Sequence, residues 1–304
     1  MNIDIATRGT SLHVTDVIEQ RQCVLRTPTP ATAEAIDGDS FYFPVDAAAA
    51  LNVESITLGN YVPTFVRNGD GDVVAEVDRF DEQTFETGEF LLELEQPVKL
   101  YIRVHGSLQI ETTGMTTTIE TDGQLWVGAR SRHNHPATTI TTTGDPEELL
   151  DVVSVLSSSL KSTSPERAYP TLRGHPPEIE VGDELHIPEG LSSPDSGIHI
   201  EVPVQRRFIY PVAPLAFYLG AELVPGTTPR IVGEDGFTYE LDGSDGFEET
   251  VARTLKQVLL LDCVTRTEGF YQLDLAEREQ VEACVDLDWA TLYEGSTTEQ
   301  LQAY

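Results

Sequence analysis

The chain has 304 residues, of which 51 are acidic and 19 basic, so its formal net charge is −32. That charge repels phosphate groups, which disfavours nucleic acids and anionic membranes as partners. Only three of the basic residues are lysines. An acidic surface with few lysines is the expected response to concentrated salt, where the Debye length falls to about 3 Å at 1 M. We therefore predict a halophilic protein.

Hydropathy and cysteine content exclude further classes of protein. Hydrophobic residues make up 39% of the chain, which argues against disorder. No apolar run approaches the roughly 18 residues that span a bilayer, and no signal peptide pattern opens the sequence. Three cysteines without a CxxC pair favour buried thiols over a disulfide framework. We expect a cytoplasmic protein that uses no cofactor.

Residues 1–145 have the pattern of an all-β domain. Short β-type runs at 22–26, 40–45, 61–67 and 72–77 are separated by clusters of Gly, Asp and Pro. Within residues 97–130, alternation typical of a half-buried strand stops at Gly106, and Asp122 with Gly123 forms a hairpin signal. This stretch is predicted to be a four-strand meander. We predict an antiparallel β-sandwich of jelly-roll-like form.

The composition changes near Gly144. Asp145 and Pro146 mark the start of a helix, and residues 146–168 are predicted to form a helix and a linker. Residues 169–304 are predicted to form a smaller mixed α/β domain, which makes the chain α+β and multidomain. Its predicted elements are strands at 199–204, 222–224, 229–232 and 237–241, a helix at 211–220, and short helices after residue 272.

The second domain is predicted to be built on a long helix over residues 247–268. Asp245 is the predicted N-cap, with Glu248 three residues on, and Gly269 suits a left-handed C-cap. Apolar residues nearly encircle the helix from 258 to 264, so this end should be covered on most sides. We predict that Cys263 is a packing residue, because a reactive thiol needs exposure and a lowered pKa.

Two motifs resemble metal sites. His133 and His135 would point to one side of a strand and could meet one metal ion, as in a metal-binding jelly roll. We favour an exposed polar loop for this pair. Residues 68–72 resemble the start of a calcium loop, but Val73 stands where an EF-hand needs glycine, so a tight turn is predicted. The chain lacks G-x-S-x-G, P-loop, G-x-G-x-x-G and H-E-x-x-H motifs.

Positive charge is unusual in so acidic a chain, and much of it falls in the second domain. Clustered guanidinium groups could form an anion site there. The candidates are Arg173, His175, Arg206, Arg207, Arg253, Lys256 and Arg266. The alternative, which we favour, is that each of them pairs with one of the many nearby acids.

Three segments carry a family resemblance: residues 169–177 (YPTLRGHPP), residues 210–226 and residues 261–271. With them the chain resembles the N-terminal part of large uncharacterised haloarchaeal proteins, whose C-terminal region is similar to a caspase-like CHAT domain. The resemblance implies that the catalytic His and Cys of that region lie beyond Tyr304. His175 follows Gly174 but lacks the following strand-and-Ala-Cys partner of the motif, and Cys263 follows Asp262, so neither matches the catalytic motifs.

The leading interpretation is a non-catalytic binding or regulatory region of a larger protein, a scaffold that recognises a protein partner or a small anionic ligand. A further C-terminal domain would be one such partner. The alternatives are an enzyme of unknown class with a pocket near Arg173, His175, Arg206 and Arg207, and a metal-binding jelly roll. The absence of catalytic motifs favours the first interpretation.

Overall fold

A computed structural model describes residues 3–304, apart from the side chain of Asp235. The chain divides into two compact units, one ending at His135 and the other running from Pro136 to Tyr304. A large antiparallel sheet forms the first unit, and most of the helices lie in the second, so the fold is α+β. Among the residues described, no helix is both long enough and apolar enough to cross a membrane.

Twelve strands make up the described part of the first unit, and all their pairings are antiparallel. The path of the sheet is β1-β2-β3-β6-β11-β10-β12-β5-β4, while β9 pairs with β10 and β7, and β7 pairs with β8. The strands are β1 (Ile3–Arg8), β2 (Ser11–Asp16), β3 (Arg21–Arg26), β4 (Ala33–Ile36), β5 (Ala47–Leu51), β6 (Ser55–Leu58), β7 (Thr64–Asn68), β8 (Val73–Val77), β9 (Glu82–Leu94), β10 (Lys99–Thr113), β11 (Thr116–Glu120) and β12 (Gln124–Arg130).

Strand β10 organises this sheet. Its first half pairs with β12 and its second half with β11, while β9 runs along its other edge. The predictions that Gly106 ends a strand and that Asp122 and Gly123 close a hairpin are wrong, because β11 and β12 both pair with β10. The change of partner occurs at Gly106, where the Ser107 N–H donates to Asp122 Oδ1 at 2.7 Å. Only a glycine fits at position 123, because a Cβ there would overlap the His105 carbonyl.

The apolar face of β10 lies in the core of the first unit. Leu100, Ile102 and Val104 are buried there among residues from most of the other strands. The predicted strand at 40–45 is absent. Residues Gly38–Ser40 form a 3₁₀ turn, and the following irregular segment lies over the polar face of β10. The predicted turn at 68–72 is present, because Asn68 Oδ1 accepts from the N–H groups of Asp70 and Asp72.

The second unit contains two small sheets and seven α-helices in its described residues. Strand order in the larger sheet is β16-β15-β17-β18, with only β15 and β16 parallel, and β13 pairs with β14 in parallel. The strands are β13 (Thr139–Thr142), β14 (Glu178–Val181), β15 (Ile198–Val202), β16 (Glu222–Pro225), β17 (Arg230–Gly233) and β18 (Thr238–Glu240). The helices are α1 (Pro146–Val155), α2 (Pro170–Arg173), α3 (Arg206–Leu219), α4 (Phe247–Thr265), α5 (Ala276–Glu282), α6 (Trp289–Glu294) and α7 (Thr297–Ala303).

Local signals explain α1 and α3. Asp145 caps α1 by accepting from the Glu147 N–H, and Pro146 occupies the first turn. Helix α3 begins five residues earlier than the predicted start at 211, and it contains both Pro211 and Pro214. Its buried face joins β15, β16 and α4 in the main core of the unit. Gly220 ends α3 in the left-handed conformation, at φ 64°.

The predicted long helix is confirmed, but its caps are not those predicted. Gly246 is the N-cap, and the Asp245 carboxylate bonds Arg253 at 2.7 Å instead. After Thr265 the helix tightens into a 3₁₀ turn over Arg266–Glu268, and Gly269 has φ −103°, outside the left-handed region. Its last apolar turns are covered on most sides, as predicted, since Val258, Leu261 and Val264 are buried and only Leu260 remains 44% exposed.

Candidate functional site

The basic residues predicted to bind an anion are held by separate local contacts. Arg253 pairs with Asp245, while Arg206 Nε donates to the Gly144 carbonyl at 3.0 Å. The guanidinium group of Arg207 lies over the ring of Phe208, its own neighbour in the chain, at 4.7 Å. Each cation therefore already has a local partner of its own.

The remaining candidates differ in environment. His175 is exposed and its ring Nδ1 bonds the Pro176 carbonyl at 2.7 Å, and Lys256 lies on the exposed face of α4. Arg173 and Arg266 are both half-buried and both lie near the thiol of Cys263. Burial raises the pKa of that thiol, although Arg266 and Arg173 oppose the shift. The thiol is therefore poorly suited to act as a nucleophile.

Arg266 is largely enclosed, with 15% of its side chain exposed. Its guanidinium group lies against the rings of Tyr169 and Tyr271, at 5.0 and 5.6 Å, and its Nε is 3.5 Å from Glu166 Oε2. Glu166 is fully buried and also accepts from the Phe270 N–H at 2.9 Å. Burial raises the pKa of Glu166, while the bond from Phe270 and the charge of Arg266 lower it. The pair is thus part of the internal packing.

Asp262 on α4 is the centre of a second buried network. Its Oδ2 accepts from Arg167 Nε and from the Tyr218 hydroxyl, each at 2.8 Å, and its Oδ1 accepts from the Tyr304 hydroxyl at 3.0 Å. Arg167 and Asp262 are both fully buried. Burial raises the pKa of Asp262, and Arg167 and the two tyrosines oppose that shift. The network ties α3, α4 and the 3₁₀ turn at Pro165–Ala168 together.

The histidine pair lies in an irregular segment rather than in a strand. His133 has φ 50°, so its side chain does not follow the alternation of a strand, and its Nε2 lies 3.1 Å from Asp46. His135 Nδ1 lies 3.2 Å from Glu19 instead. The two rings therefore contact different carboxylates. Among residues 3–304, no group of three or more His, Cys, Asp or Glu side chains has the geometry of a metal site.

An open groove of about 910 Å³ lies between α1 and β16 in the second unit. Its lining includes apolar residues of both elements, such as Leu150 and Leu223, and its acidic residues are Glu147, Asp151 and Glu222. The outer edge of β16 cannot pair with an added strand through its backbone N–H groups. The Leu223 N–H already donates to Ser154 Oγ at 2.8 Å, and Pro225 has no N–H. An occupant must bind this groove mainly through its side chains.

The first unit carries a second site, on the polar face of β10. Lys99, Arg67 and Arg130 are all buried there. Lys99 Nζ bonds Glu93 at 2.6 Å and Glu95 at 2.7 Å. Partial burial would raise the pKa of Glu95, but the bonds from Lys99 and Arg132 lower it below its ordinary value. We call the surface formed by Lys99, Arg67 and Arg130 the cationic face.

An aromatic segment covers the cationic face. Phe43 stacks on Tyr101 with ring centroids 5.1 Å apart, and the guanidinium group of Arg67 lies 5.2 Å from the Phe43 ring. Phe41 packs against Gly128, where an added Cβ would come within 2.9 Å of its ring. Glycine on β12 therefore makes room for the covering segment, which we call the aromatic cover (residues 38–46).

Sequence reasoning missed this face because its residues alternate as on a solvated strand. Lys99, Tyr101 and Arg103 share the polar side of β10, which a half-buried strand turns to solvent. The available signal was the composition. A chain with only three lysines places one of them on this strand. No family model, curated protein or solved structure matches this chain.

Proposed function

We propose that this chain is a non-catalytic binding region, a scaffold of a halophilic cytoplasmic protein, and that it holds a protein partner in the groove between α1 and β16. The observation that carries the proposal is the groove itself, which is open and is lined by both apolar side chains and carboxylates. Its polar residues are acids and serines, and no histidine or cysteine lines it. Binding suits such a lining better than acid–base or nucleophilic catalysis.

The groove predicts the chemistry of its occupant. Glu147, Asp151 and Glu222 favour Lys or Arg side chains, and Leu150 and Leu223 favour apolar anchors between them. Because the Debye length is about 3 Å at 1 M salt, only charges in direct contact contribute in concentrated salt. We therefore propose a partner segment that alternates basic and apolar side chains.

The test is fluorescence anisotropy with labelled ten-residue peptides at high salt. A Lys/Leu peptide should bind, while a Glu/Leu peptide and a Lys/Ser peptide should not. The triple variant Glu147→Gln, Asp151→Asn, Glu222→Gln should weaken binding of the Lys/Leu peptide. A matched control, Glu178→Gln, Glu180→Gln, Asp183→Asn, removes three exposed acids outside the groove and should leave binding unchanged.

Equal loss in both triple variants would show that the net charge, and not the groove, attracts the peptide, and the proposal would fail.

We further propose that the sheet of the first unit is a β-sandwich of jelly-roll-like form. The exchange of partners along β10 supports this, since β12 and β11 leave the same edge of one strand toward different neighbours. The kinship with CHAT-containing haloarchaeal proteins also remains a proposal.

A further inference from the structure

Arg130, at the end of β12, is fully buried and incompletely bonded. Its Nη1 donates to the Pro44 carbonyl at 3.1 Å, and its guanidinium carbon lies 5.3 Å from the centre of the Tyr101 ring. Its Nε and Nη2 are both sealed from solvent and have no hydrogen-bond partner among the described residues. Two strong donors on one buried cation are therefore unsatisfied.

This arrangement is costly, and arginine cannot relieve the cost by losing its proton. A buried lysine can become neutral, but the guanidinium group stays charged in proteins. Burying an ion without a partner costs several kcal/mol even after relaxation. The contact with Tyr101 recovers about 2 kcal/mol at most. Something else must compensate the charge.

The neighbouring carboxylates are engaged with other cations. Glu93 and Glu95 both bond Lys99, and Arg132 Nη2 also bonds Glu95 at 2.7 Å. Asp46 Oδ2 accepts from the Ser131 N–H at 2.8 Å and lies 3.1 Å from His133. None of these carboxylates bonds Nε or Nη2 of Arg130. In a chain of charge −32, this cation lacks an anion of its own.

We propose that Arg130 binds a small monovalent anion of the chloride type, held by Nε and Nη2 beneath the aromatic cover. One negative charge balances the guanidinium group, and a spherical anion can accept from both N–H groups together. The ion must be small because the site is closed to solvent. It enters as the aromatic cover lifts, since Pro44 in that segment bonds Arg130 and Phe43 seals the face beside it. This inference is independent of the groove.

The solution test replaces gluconate by chloride at constant ionic strength and sodium concentration. In a Trp289→Phe background, Trp126 fluorescence reports unfolding of the first unit. A site for one anion that is nearly saturated raises the ratio of folded to unfolded protein about tenfold for each tenfold rise in chloride. Arg130→Met should abolish this dependence. Arg103→Met changes a cation on the same face of the sheet that is paired with Glu89, and it should retain the dependence. Because Arg103 also lies over the Trp126 ring, the comparison uses the chloride dependence of unfolding and not the emission itself.

A crystallographic test does not depend on a variant that folds. Crystals of the unaltered chain grown in sodium bromide should show an anomalous peak in contact with Nε and Nη2 of Arg130. The proposal is overturned if bromide occupies only surface positions, or if chloride stabilises the unaltered chain and Arg130→Met equally.

Discussion

The buried Asp262 network gives the most quantitative prediction. Asp262→Asn keeps the size of the side chain but removes the charge that faces Arg167, leaving a fully buried guanidinium group without its carboxylate. Removing one member of a buried ion pair typically costs about 3–5 kcal/mol. We expect a loss in that range. The two tyrosine hydroxyls bond different oxygens of Asp262, so in the asparagine variant one of them can still donate to the amide oxygen while the other must accept from the amide NH2. Tyr218→Phe removes one hydrogen bond and should cost about 1–3 kcal/mol.

The measurement is urea unfolding at about 1 M salt, where repulsion between exposed acids is screened. In a Trp126→Phe background, Trp289 is the only tryptophan and reports on the second unit. It is 5% exposed and packs with Leu261 and Val264 of α4, close to Asp262. The control Glu249→Gln, on the exposed face of α4, should change stability by no more than about 0.5 kcal/mol.

A double-mutant cycle tests the physical reason. If the cost arises from an uncompensated charge, Arg167→Met combined with Asp262→Asn should be less destabilising than the sum of the two single changes. A loss of unfolding free energy below about 1 kcal/mol for Asp262→Asn would refute the reasoning, because a buried arginine without its carboxylate should destabilise the fold by more than that. Additive losses would refute the coupling between the two residues.

Three further predictions concern the first unit and the whole chain. Gly128→Val should displace Phe41 and cost about 1–3 kcal/mol in urea unfolding read by Trp126, since there is no room for the added carbons. Burial of Glu19 opposes ionisation, but bonds from Asn134 and His135 prevail and lower its pKa from 4.5. Its contribution is therefore present above pH 4.5 and lost as the pH falls through the lowered value. Glu19→Gln should be less stable than the unaltered chain at pH 7 and equally stable in acid, by unfolding at a series of pH values. Thermal unfolding should shift upward strongly between about 0.1 and 1 M salt, and an unchanged midpoint would disprove a halophilic character.

Features set by neighbouring residues could be predicted from the sequence. Helix α1 follows from Asp145 and Pro146, and the turn at 68–72 follows from the hydrogen-bonding side chain of Asn68. The body of α4 follows from its apolar spacing. Its caps were missed because Asp245 had two possible partners, the helix N-terminus and Arg253, and the sequence does not show how close the second would lie.

Features set by distant residues could not be predicted. Strand β9 is buried only at its last four positions and elsewhere alternates between exposed and half-buried positions, so its pairing with β7 and β10, more than any apolar face, defines it. The exchange of partners along β10 depends on contacts around Gly106 and Asp122, two residues far apart in the chain. The cationic face is covered by residues 38–46, and no local pattern on β10 predicts this contact. The sequence likewise does not show which partner each of the seven basic candidates contacts.

The buried charges also bear on the origin of the acidity. Among the side chains that the structure describes, the buried cations are Arg67, Lys99, Arg130 and Arg167, and the buried acids are Asp16, Glu93, Glu166 and Asp262. Because the two groups are equal in number, they cancel, and the formal charge of −32 lies on side chains that are at least partly exposed or not described. Salt can screen exposed charges but screens buried ones much less. Screening by concentrated salt should therefore relieve the repulsion at the surface while leaving the ion pairs of the two internal networks, around Asp262 and around Lys99, nearly unaffected.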